Sequence, residues 1–226
     1  MNNHLNKKLM RQPYVFLVDS PSHNDLFSGY SIGMGLRDAL RAIRIPCFYY
    51  LATNRDNFNA TLQYHLQYSV NQMQQTPGVD AVPFIHLCMH GWREGIALTD
   101  NTTVSWQELR NLLYMYNNVK GFNPFLCMAS CEGMSATNMT NAFDCAFDIV
   151  VGNEGAVLQS DVTVAYLAFY NQLIFKGASV QQAVEAMRVS SGDSRFYFAT
   201  GVQVRNQKFA ELNSQNLINT WGTIPW

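Results

Sequence analysis

An imidazole and a thiol, each at the end of an apolar run, are the side chains of this sequence best suited to covalent chemistry. Phe84-Ile-His-Leu-Cys-Met-His90-Gly91 closes one run, and Phe125-Leu-Cys-Met-Ala-Ser-Cys131-Glu-Gly133 closes the next. A thiolate attacks a carbonyl carbon. A neighbouring imidazole takes the thiol proton and later returns it to the departing amine, so one pair serves both steps. Cys131 precedes an expected helix start, where backbone N–H groups favour negative charge. The N–H of Gly91, with no side chain beside it, and that of Cys131 would together form an oxyanion hole. Cys47, Cys88, Cys127 and Cys145 read as core filler, the usual place of a cysteine in apolar sequence. His86 reads as a hydrogen-bonded interior histidine.

For those two ends to meet, the runs that carry them must be neighbouring strands. Tyr14 to Asp19 is strand-sized and is closed by Ser20-Pro21-Ser22. Ile32 to Ile43 has helical spacing, and Cys47 to Leu51 is a second strand. Phe58, Leu62, His65, Leu66 and Val70 repeat with helical period before Ala81 to Met89, the third strand. Arg93 to Trp106 reads as a hairpin, and Ser105 with Glu108 is a capping box that opens a helix ended by Gly121. Phe122 to Met128 is a fourth strand, Ser135 to Phe143 a helix, and Phe147 to Val151 a fifth strand. Helical patterns over Val162 to Phe175 and Val180 to Val189 precede a last strand, Phe196 to Val204. Apolar strands alternating with helices predict a three-layer α/β sandwich, a mainly parallel sheet with helices on both faces. In such sheets function collects at the carboxyl ends of the strands. The ends to inspect are Asp19-Ser20, His90-Gly91, Ser130 to Gly133 and Gly152-Asn153-Glu154.

Composition narrows the classes. A chain of 226 residues, 48% hydrophobic and 14% charged, suits one domain with a full core, here 13–226 after an N-terminal tail over 1–12, and it excludes intrinsic disorder. The formal net charge is -1, without long blocks of either sign, which argues against a nucleic-acid partner. No apolar run approaches the ~20 residues of a membrane span, and the run after Lys7, Lys8 and Arg11 is too short for a signal-peptide core. Neither a membrane nor an export route is expected. Five cysteines, an odd number without zinc-ribbon spacing, suit a reducing, cytoplasmic setting. Gly29 to Gly35 and Gly152 to Gly155 offer no Walker lysine and no dinucleotide fingerprint.

An apolar strand ending in His-Gly, followed by a second ending in Cys-x-Gly, resembles the caspase-like cysteine peptidases, which include caspases, metacaspases, legumain, separase and gingipains. Ile85 to Gly91 and Phe125 to Gly133 carry the likeness. The caspase form, Gln-Ala-Cys-x-Gly with its His about 50 residues upstream, is replaced here by Ala129-Ser130-Cys131-Glu132-Gly133, with 41 residues from position 90 to 131. Glu132, with the stretches Ile149 to Glu154, Ala165 to Leu173, Gly177 to Val180 and Ala183 to Arg188, looks most like the bacterial CHAT-domain proteases. The likeness covers Val82 to Val204. It implies a caspase-like sheet and an endopeptidase with Cys131 as nucleophile, His90 as acid and base, and Gly91 and Cys131 as oxyanion hole, working without a cofactor. It also implies a protein substrate, an activating protein partner and a role in antiphage defence. The residue before the scissile bond would lie between the first, fourth and fifth strand ends.

Acidic side chains near those ends, Asp19, Glu154 and Asp161, with Asp25 in the first loop, would favour a substrate Lys or Arg. Ala129, two before Cys131, stands where legumain-like and metacaspase-like proteins carry an acid, which leaves a small or apolar preference open. Two other readings compete. In one, the domain is a non-catalytic scaffold or binding module of the same fold. In the other, His86, Cys88 and His90 share a strand face and bind zinc with Cys127 and Cys131, although the one-residue spacing departs from the two-to-four of structural sites.

Overall fold

The computed structural model describes residues 9–221, except for the side chains of residues 118, 119 and 215–221. Its strands are β1 (Met10–Ser20), β2 (Cys47–Leu51), β3 (Val79–Trp92), β4 (Gly95–Ala97), β5 (Thr103–Ser105), β6 (Phe125–Ala129), β7 (Ile149–Asn153) and β8 (Phe196–Thr200). They form one mixed sheet in the order β2-β1-β3-β6-β7-β8. The pairs through β7 are parallel, β8 is antiparallel to β7, and β4 folds back on the end of β3 and pairs with β5. The helices are α1 (His23–Phe27), α2 (Ile32–Ala42), α3 (Arg55–Ala60), α4 (Leu66–Met73), α5 (Trp106–Lys120), α6 (Gln159–Tyr170), α7 (Val180–Ser191) and α8 (Gly201–Trp221). The architecture is the three-layer α/β sandwich that the apolar runs predict.

The strands are apolar throughout because both faces are covered, and the two-residue period sorts their side chains into two cores. Tyr14, Phe16, Val18, Ile85, Leu87, Leu126 and Met128 point to one face, where Phe58 and Leu66 of α3 and α4 and Leu109 and Leu113 of α5 meet them. Val15, Leu17, Cys88, Cys127, Ala129 and Val151 point to the other, against Leu36 and Leu40 of α2, Tyr166 and Phe169 of α6 and Met187 of α7. Local signals set the helix ends: Ser31 caps α2, Ser105 with Glu108 makes a capping box on α5, and Gly121, with φ 74°, ends α5. Among the described residues no helix is long and apolar enough to cross a membrane.

Beyond shifts of a few residues at strand and helix ends, three differences from expectation stand out. Residues 10–12, assigned to a tail, are strand, because Met10, Arg11 and Gln12 pair with Val79, Asp80 and Ala81 of β3; residues 1–8 lie outside the described residues. The helix expected over Ser135 to Phe143 is a 3-10 segment, Gly133–Met139, whose short chain-reversing turns pack Ala136 and Met139 into the core. The last strand stops at Thr200 and not at Val204, since Gly201 opens α8, which the sequence reading lacked.

Candidate active site

Register brings the two chemical ends together. Cys88 of β3 lies opposite Ala129 of β6 and opposite Asp19 of β1. The β3–β6 pairing ends at Cys88 and Ala129, and two residues further on each chain come His90 and Cys131, at the same edge of the sheet. Gly91 and Cys131 are in close contact: a Cβ on Gly91 would lie 2.5 Å from the Cys131 carbonyl oxygen and 2.9 Å from Ser130 Cβ. Glycine at 91 is thus required by the approach of the Ser130–Cys131 turn.

His90 and Cys131 both line a cavity of about 180 Å³ at the carboxyl edge of the sheet. Asp19 and Ser20 of β1, Cys88 and Met89 of β3, and Ala129 and Ser130 at the end of β6 form its floor; Ser22, Asp25, Tyr30 and Ser31 form one wall, and Val157, Gln159 and Val162 the other. His90 is exposed at the rim and Cys131 is half-buried. Buried Ser130 keeps a hydroxyl with no hydrogen-bond partner among the described residues.

The sharpest electrostatic feature is Asp19, 1% exposed. Ser31 Oγ donates to its Oδ2, as does Tyr49 OH at 2.9 Å, and Gly33 at the start of α2 adds a backbone N–H. Burial raises the Asp19 pKa, and these three donors oppose the rise without cancelling it. Neither side-chain donor goes to Oδ1. Asp25 forms a second acidic point, accepting from Ser22 Oγ at 2.7 Å and from Gln159 Nε2 at 3.2 Å. Among the described residues the cavity wall holds these two carboxylates and no lysine or arginine.

The other acids singled out by sequence stand elsewhere. Glu154 is exposed and Asp161 half-buried, and neither lines the cavity. Asp161 lies within electrostatic reach of Arg195, which is paired with Asp193 at 2.7 Å. The cavity lies between the ends of β1, β3 and β6, and β7, the fifth strand of the sequence pattern, supplies none of its wall. Sequence reasoning missed Ser31, Tyr49 and Gln159. Only Ser31 carried a local signal, a serine ahead of a helical pattern.

The remaining cysteines are poorly placed as nucleophiles. Burial pushes the Cys47 and Cys127 thiols up to about 12 and raises Cys88 and Cys145, which disfavours the thiolate. His86, fully buried, binds Tyr170 OH through Nδ1 at 2.8 Å, while its Nε2 has no partner among the described residues. Burial lowers its pKa to about 3. No group of three or more His, Cys, Asp or Glu side chains among the described residues is placed to hold a metal ion. The chain matches no protein-family model, and no curated protein is detectably similar to it.

Proposed function

We propose that the protein is a cysteine endopeptidase of the caspase-like type that cleaves a protein substrate after a basic residue. The observation that carries this reading is that His90 and Cys131 line one cavity together with a buried carboxylate, Asp19, and with no lysine or arginine among the described residues of its lining. In this mechanism Cys131 Sγ attacks the scissile carbonyl carbon and His90 accepts the thiol proton. The backbone N–H groups of Gly91 and Cys131 receive the oxyanion. As the tetrahedral adduct collapses, the imidazolium returns the proton to the leaving amine; water, deprotonated by His90, then releases the acyl group and restores the thiol.

A lysine or arginine side chain entering the cavity would bring the positive charge that Asp19 lacks as a partner, and its N–H donors suit a carboxylate whose two side-chain donors both go to Oδ2. Five free thiols favour a reducing compartment, and the CHAT-like resemblance adds an activating partner protein and a place in antiphage defence to the proposal.

The test combines a thiol electrophile with a peptide panel varied only before the scissile bond. The reading expects rapid labelling of Cys131, slowed in His90→Ala, and turnover of Arg or Lys peptides ahead of Met or Asp peptides. Slow labelling that ignores His90 would point instead to a non-catalytic scaffold. Equal turnover across the panel would remove the acidic pocket.

A further inference from the structure

Glu132, next to the proposed nucleophile, has φ 54° and ψ 31°, a left-handed conformation uncommon for a residue with a side chain. Such a turn persists only where its surroundings hold it. Two contacts from the β7 end do so. Glu132 N–H donates to the Gly155 carbonyl at 2.8 Å, and the same oxygen accepts Asn153 Nδ2 at 2.7 Å. Beneath this, Gly152 lies against Gly133 so closely that a Cβ on Gly152 would sit 2.8 Å from the Gly133 carbonyl carbon. The turn that carries Cys131 is thereby fixed to β7 and not to its own strand alone.

Asn153 is fully buried, and its Oδ1 has no partner among the described residues. A buried amide with an unmet acceptor is uncommon, so what it contributes here is its donor. We propose that Asn153 is a positioning residue for Cys131: its Nδ2 fixes the Gly155 carbonyl to which Glu132 N–H is tied, and so sets where the Cys131 thiol stands relative to His90. The consequence for turnover rests on the peptidase reading; the positioning itself does not.

The experiment uses the full chain with Asn153→Ala and the near-isosteric Asn153→Asp. Two rates are read: hydrogen exchange of the Glu132 amide, and alkylation of Cys131 by iodoacetamide with Cys47 and Cys145 as internal references. In Asn153→Ala, Glu132 exchange rises by about tenfold or more and Cys131 alkylation changes by a similar factor, while the reference thiols hold. In Asn153→Asp both rates depart from wild type at pH 8 and return toward it as pH falls, because the protonated carboxyl regains a donor. Unchanged exchange and alkylation in both variants would overturn the proposal, as would a shift in all three thiols together, which marks general loosening. If wild-type Cys131 reacts as slowly as in His90→Ala, the peptidase reading fails alone, and Glu132 exchange still decides the role of Asn153.

Discussion

The His86 ring and the Tyr170 hydroxyl meet at 2.8 Å inside the sheet–helix core, and the second ring nitrogen of His86 meets no partner among the described residues. That core accommodates a neutral imidazole and not an imidazolium. With the ring at about 3 when folded against ~6.5 when unfolded, protons bind preferentially to the unfolded chain between these values. Stability from His86 is complete above the unfolded value and is lost as pH falls toward the folded one, by up to about 1.4 kcal/mol per pH unit. Asp19 acts with opposite sign: its raised value makes the folded state bind protons more readily above 3.8, so it favours folding as pH falls there. Urea melts of wild type and His86→Phe at pH 7, 5 and 4 separate the two. The wild type loses more stability than the variant on acidification; parallel losses would show that His86 does not titrate this way.

Removing the charge at Asp19 while keeping its shape addresses specificity. In Asp19→Asn, kcat/KM for Arg and Lys peptides falls by about a hundredfold, the scale for losing one partner of a buried charge pair, and turnover of a Met peptide is little changed. The substitution preserves one acceptor oxygen for Ser31 and Tyr49, both of which donate to Oδ2, so melting temperature is the control. A uniform fall across all peptides would mean that Asp19 only anchors α2.

At Gly91 a methyl group has nowhere to go, since its contacts are the Cys131 carbonyl and Ser130 Cβ. Gly91→Ala is expected to cost about 1–3 kcal/mol by overpacking and to slow electrophile labelling of Cys131. Denaturant midpoints and labelling rates check both. Wild-type values for each would mean that the turn yields freely.

Ser20 joins the end of β1 to the hairpin that continues β3. Its Oγ donates to the Ala52 carbonyl at 2.6 Å and accepts from Thr99 N at 2.9 Å, and Thr99 Oγ1 donates to the Pro21 carbonyl at 2.7 Å. Ser20→Ala leaves buried polar groups unmatched and should cost about 1–3 kcal/mol, seen as a lower melting temperature. Because that hairpin begins at His90, the same variant is expected to reduce turnover more than substrate affinity.

The sheet and most helices were legible because each carries its own local record: uniformly apolar strands, helical spacing, Ser105 with Glu108, Gly121. That His90 and Cys131 come to the same cavity followed from one rule, that successive apolar parallel strands end at one edge. What escaped was long-range or weakly marked. Met10 to Gln12 are mostly exposed and carry no strand alternation, and only pairing with Val79 to Ala81 makes them strand. In α8 the apolar positions are sparse, and Val202 and Phe209 are exposed, so no clear stripe announces the helix. Asp25 meets Gln159 across 134 positions of sequence, and Tyr49 reaches Asp19 from a neighbouring strand. Glu154 drew notice for its charge, whereas the neighbouring Asn153 and Gly155 touch the Cys131 turn.

One wall of the cavity is built almost without buried side chains. It runs from Ser22 to Ser31 and includes α1, a helix with no buried residue, where Phe27 and Tyr30 stand exposed. His90 and Cys131 belong to the sheet edge, and this strap belongs to neither core. Diversity in what enters the cavity is therefore open to selection at low cost: the stretch ahead of Ser31, the residue that caps α2 and holds Asp19, can be exchanged, lengthened or recharged while the sheet edge behind it is kept.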